Sequence, residues 1–165
     1  ILPHDPPTTD SGVATDYFGP IPPDRVRDGS NVLLFRGDGG HRGKVGIAPA
    51  IARNVAGSYD SIHHVLTLVK FDVTKDGDYV NSKWEMQEYP FKGDAVNAYN
   101  DGPLADGSQM GPFYEIESSS AVRELKTGES LQHKVVTAHL EGDKATLDRI
   151  ARTVLGVSLN DINIQ

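Results

Sequence analysis

Residues 111–120, Gly111-Pro-Phe-Tyr-Glu-Ile-Glu-Ser-Ser-Ser120, read as a β-strand carrying two acids. Side chains alternate faces along a strand, so Glu115 and Glu117 point one way while Tyr114 and Ile116 point the other. Groups two residues apart in a strand lie roughly 6.5–7 Å from each other, a separation that suits the carboxylate pairs of glycoside chemistry. Repulsion between them raises one pKa and leaves a proton donor beside a proton acceptor. The same two residues also fit a solvated strand face, where most charged side chains sit.

Upstream of this stretch the pattern repeats. From Val32 onward, short apolar or alternating runs are separated by turn chemistry, as in antiparallel β proteins. Strands are expected near 32–36, 43–48, 62–71, 79–88, 94–99, 112–118 and 130–140. A hairpin is expected between 62–71 and 79–88, with Asp76-Gly77 supplying the positive φ of its turn. Alternation in its second strand groups Val80, Ser82, Trp84 and Met86 on one face, which directs Trp84 to the core. Six of the ten prolines fall between Pro3 and Pro23, and proline cannot donate ladder hydrogen bonds. Residues 1–31 are therefore expected to form an extended, irregular arm that wraps a sheet edge. One helix is expected over 144–155, with Asp143 as N-cap, Leu147, Ile150, Ala151, Val154 and Leu155 at helical spacing, and Gly156 closing it. Together these elements predict an all-β antiparallel sandwich in one domain, with a Pro-rich N-terminal arm and a C-terminal helix packed on it.

Composition narrows the partners. The chain has 165 residues, 38% hydrophobic and 24% charged, with a formal net charge of -7, and it contains no run of Lys and Arg, so nucleic acid is not an expected ligand. With no cysteine, disulfides, thiolate catalysis and Cys-type zinc sites are excluded. No apolar run approaches the ~20 residues of a membrane span, so no membrane partner is expected. The sequence opens on Ile1 and not on Met, which fits a processed product, a trimmed chain or an incomplete upstream sequence.

At Asn81-Ser-Lys-Trp-Glu-Met-Gln-Glu-Tyr-Pro90, Asn97-Ala-Tyr-Asn-Asp-Gly-Pro103, Gly111–Ser120 and Leu125-Lys-Thr-Gly-Glu129, the chain resembles a family of uncharacterised bacterial proteins. Those proteins look like members of the galactose-mutarotase-like superfamily. The resemblance extends to Gly57-Ser-Tyr-Asp60 and the terminal helix. The order Glu115/Glu117, then Leu125–Glu129, then Ser130–Leu140 resembles the end of aldose 1-epimerases, where a strand with a catalytic glutamate precedes a Leu-x-Pro-Gly-Glu turn and a last long strand. The resemblance implies the C-terminal part of a large antiparallel sandwich whose concave face binds sugars. It implies a glutamate acting as base on the anomeric hydroxyl, a histidine acting as acid on the ring oxygen, and a periplasmic or secreted setting. The His-x-Tyr-Phe-Asn-like segment that carries the epimerase histidine is absent here, which leaves the acid unassigned.

Glu115 and Glu117 are thus the candidate catalytic residues, with a small saccharide as partner and no cofactor. Asn97, Tyr99, Asn100 and Asp101 offer amides, a carboxylate and an aromatic ring to sugar hydroxyls, although Asn100-Asp-Gly-Pro103 also reads as turn chemistry. Arg42, like Arg36 and Arg53, can anchor a carboxylate or phosphate or lie in a solvated loop. His64 is a candidate binding residue or general acid. Adjacent His63 and His64 face opposite sides of an extended strand, and His133 and His139 stand about 20 Å apart along one, so no metal site is expected. A rival reading is a non-catalytic sugar-binding or assembly module, in which a partial sandwich completes itself as a homodimer and hides its open edge.

Overall fold

In the computed structural model, residues 1–7, 12–83 and 85–163 are described. The architecture is all-β and antiparallel with a C-terminal helix. Its ten described strands are β1 (Leu2–Pro3), β2 (Val13–Ala14), β3 (Val26–Asp28), β4 (Val32–Phe35), β5 (Gly43–Ile47), β6 (Val55–Asp60), β7 (Val65–Phe71), β8 (Val96–Asn100), β9 (Tyr114–Ser118) and β10 (Val135–Glu141), followed by α1 (Lys144–Leu155). They form three sheets, in the orders β1-β4-β3, β10-β7-β6 and β2-β5-β8-β9.

Alternation decides what each sheet buries. In the four-stranded sheet Val45 pairs with Ala98 and Ala98 with Ile116, while Ile47 pairs with Val96. These residues join Ala56, Val69 and Phe71 of the β10-β7-β6 sheet in one core, together with Leu2 and Leu33 of the third sheet. The other face of β10-β7-β6 presents Leu66, Leu68, Leu140, Val55 and Tyr59 to Leu147, Ala151 and Leu155 of α1. All three sheets therefore share one apolar interior, the helix seals the back of β10-β7-β6, and the front of the four-stranded sheet is left polar.

The helix has the expected bounds, with Asp143 accepting from the Thr146 amide at 2.9 Å and Gly156 at φ 71°. The expected hairpin does not form. Instead, β7 pairs with β6 on one side and β10 on the other. Lys75 and Asp76 do form a turn in which Gly77 donates to the Thr74 carbonyl at 3.0 Å, but Gly77 is not among the positive-φ glycines. Residues 79–83 and 85–88 make no strand. Tyr79 is buried and exchanges backbone bonds with Phe91 and Gly93, whereas Val80 and Met86 are exposed, the reverse of the alternation read from sequence. Trp84 lies outside the described residues.

The expected last strand begins at Val135, five residues later than 130. The sequence reading also lacked β6, because Gly57-Ser-Tyr-Asp60 carries turn-forming residues where a strand runs. The arm is less irregular than expected: β1, β2 and β3 are all ladder segments. Ile1 and Gly57 exchange two backbone hydrogen bonds, each 2.9 Å, so the beginning of the chain joins the small sheet to the edge of β6.

Candidate functional site

The polar front of the four-stranded sheet is set by register. Lys44 pairs with Tyr99 and Tyr99 with Glu115; Gly46 pairs with Asn97 and Asn97 with Glu117. Cross-strand partners point the same way, so two rows, Lys44-Tyr99-Glu115 and Gly46-Asn97-Glu117, lie side by side. Glu115 and Glu117 share a face of β9, as the alternation requires, and β9 is an edge strand.

Electrostatics separates the two acids. The Lys44 ammonium lies 3.0 and 3.3 Å from the two Glu117 oxygens. The Glu115 carboxyl is held above the ordinary glutamate value, first by partial desolvation and then by the hydrogen bond and charge of Glu117, with Lys44 opposing. One carboxylate is matched to a cation and its neighbour is biased toward keeping a proton.

Next to them, the Tyr99 hydroxyl donates to Asp101 at 2.7 Å, and Asp101 also accepts from the Gly111 amide at 2.9 Å. These donors, Tyr99 first, hold the Asp101 carboxyl below the usual range. Burial and the Asp101 carboxylate push the Tyr99 phenol up. Asn97 is buried and its Oδ1 has no hydrogen-bond partner among the described residues.

The arm crosses this face. Tyr17 donates to Asp94, which fills the space above Gly46. The Phe18 ring meets Tyr99 edge-on at 5.9 Å and carries the Arg42 guanidinium 4.1 Å above its centre. Burial, then the charge of Asp16, raises the Asp94 carboxyl to about 7. At the Arg42 end the face opens into a hollow of about 310 Å³ lined by Arg42, Asp101, Gly102, Leu104, Ser108, Gln109 and Met110. Neither glutamate is among its lining residues; they occupy the sheet surface beside it.

Of the residues expected to bind, Arg42, Asn97, Tyr99 and Asp101 come together with Glu115 and Glu117. Asn100 does not join them. One residue out of phase with Tyr99, it points to the other side, accepts from the Gly39 amide at 2.9 Å and donates to the His41 carbonyl at 2.8 Å, tying down the 37–41 loop. His64 sits in the turn between β6 and β7, at φ 54°, in a different sheet. Lys44, Asp94, Tyr17 and Phe18 went unread in the sequence. Lys44 had a signal, since alternation in Gly43-Lys-Val-Gly-Ile47 sets it opposite the apolar Val45. The two aromatics lay in an arm with no period to read.

Over its full length, residues 1–165, the sequence matches a family described as a family of unknown function, DUF6786. The chain belongs to DUF6786. No curated protein and no solved structure matches it. For this DUF6786 chain, the geometry of the β5-β8-β9 face carries the functional argument.

Proposed function

We propose that the polar face of β5, β8 and β9 binds a saccharide and that the Glu115–Glu117 pair moves protons at its anomeric centre, a mutarotase-like role. The observation that carries the reading is the split between the two acids: Glu117 in contact with an ammonium, Glu115 biased toward its protonated form. In anomer exchange a base takes the proton of the anomeric hydroxyl while an acid protonates the ring oxygen. The C1–O5 bond opens, rotation follows, and the same groups reverse the step. Glu117 serves as base and Glu115 as acid. Glu115 takes the acid role as the member of the pair biased toward keeping its proton; His133 bonds Ser118 on the opposite face of β9, and His139 bonds Thr67 in the other sheet. Arg42 and Asp101, which line the hollow, supply the hydrogen-bonding groups that sugar hydroxyls require, while Tyr99 and Asn97 are buried and Tyr99 fixes Asp101 through its hydroxyl.

Polarimetry with freshly dissolved galactose or glucose tests this. Anomer exchange above the buffer rate is expected, and it should vanish in Glu117→Gln and in Glu115→Gln. Absence of any rate or thermal-shift effect at high saccharide concentration removes the reading. Turnover of nitrophenyl glycosides would replace it with hydrolysis by the same pair.

A second reading, a non-catalytic assembly module, is favoured by a separate observation. The edge strands β9 and β10 carry half-exposed apolar residues, Tyr114 on one and Val135 and Val136 on the other. Such edges are commonly hidden by a second copy.

A further inference from the structure

We infer that the saccharide taken by this face is anionic, with a carboxylate or phosphate substituent held by Arg42 in the hollow beside the glutamates. The inference rests on the saccharide reading above and names its substrate class. Arg42 makes no ion pair among the described residues, whereas Arg25, Arg53 and Arg152 each have a carboxylate partner. Its surroundings are aromatic: the Phe18 ring lies 4.1 Å below the guanidinium, and Tyr99 meets that ring edge-on at 5.9 Å. A guanidinium resting on an aromatic face is oriented with its N–H edge left over for a planar anion.

The one carboxylate that also lines the hollow, Asp101, is already committed to neutral donors, the Tyr99 hydroxyl and the Gly111 amide, and forms no ion pair with Arg42. Ser108 donates to Asp106 at 2.6 Å, and Gln109 spends its amide donors on the Gly39 and Gly111 carbonyls at 2.7 and 3.1 Å. The remaining charged donor is therefore Arg42. A volume of about 310 Å³ falls in the small-ligand range. The hollow adjoins Tyr99, which stands in the same cross-strand row as Glu115. A sugar anchored there by its anionic substituent lies with its ring toward the glutamates.

Isothermal titration at pH 7 compares glucose and galactose with glucuronate, galacturonate and glucose 6-phosphate, using the intact chain, Arg42→Gln and the surface control Arg149→Gln, with circular dichroism checking the fold of each. The expected result is binding of at least one anionic sugar about tenfold or more tighter than its neutral parent, as one charge-assisted contact provides. That preference should be lost in Arg42→Gln and kept in Arg149→Gln. The carboxylate and phosphate arms identify which substituent is accepted. Equal binding of neutral and anionic sugars overturns this inference and leaves the saccharide reading standing; a preference that survives Arg42→Gln does the same. If no sugar binds the intact chain, both fall.

Discussion

Lys44 is a single side chain on which the chemistry of its neighbours depends. Its ammonium lowers the raised carboxyl of Glu115 while contacting Glu117, so replacing it with methionine removes a cation that opposes the rise at Glu115. A carbon-13 titration of the Glu115 carboxyl should show its midpoint moving to higher pH in Lys44→Met; an unchanged midpoint would show that the two groups do not communicate. Asp94 offers a stability counterpart. Its folded value of about 7 stands above that of the unfolded chain, so the unfolded state releases its proton first as pH rises. This group therefore favours folding at acid pH and loses that contribution from about pH 4 to pH 7, on the order of 4 kcal/mol in all. In urea unfolding between pH 4 and 8, Asp94→Asn should flatten the decline, gaining on the parent chain at pH 8. Asp94 escaped notice because a lone Asp carries no spacing signal, and Lys44 because alternation gives its face but not its partner; both roles come from residues distant in the chain.

Among the elements, β9 and α1 were legible because each has a strong period or cap. Five alternating residues gave the face of Glu115 and Glu117, and the Asp143 cap with Gly156 gave both ends of the helix. The strand β6 was illegible because its most informative position looks like a turn. Gly57 is glycine for a packing reason: a Cβ there would lie 2.6 Å from the Thr67 carbonyl oxygen and 3.0 Å from Leu155 of α1. Gly57→Ala should cost about 1–3 kcal/mol through overpacking, read as a lower urea midpoint. Leu147, on the buried face of the same helix, is almost wholly inaccessible, and Leu147→Ala should cost about 2–5 kcal/mol by leaving a cavity. Residues 79–88 misled for the opposite reason. Their polar–apolar alternation satisfied the period of a strand, but backbone pairing by Tyr79 and Asn81 with 90–93 is local and supplies no ladder.

For the molecule as a whole, the half-exposed Val135, Val136 and Tyr114 make the oligomeric state informative. The assembly reading expects a dimer in sedimentation velocity at micromolar concentration, unaffected by sugar. A monomer that any tested saccharide stabilises thermally supports the binding reading alone. The order of the strands has a further consequence, for the time the chain takes to become native. Gly43 cannot complete its ladder until Asn100 arrives, nor Phe71 until Val135, and Ile1 must find Gly57. Long stretches of sequence must be gathered before these contacts return any stabilisation, so refolding should be slow, in the milliseconds-to-seconds regime of non-local β topologies. Until the last ladders close, the acidic rows of the sheet front do not exist as a surface, and any ligand of that front can meet only finished molecules.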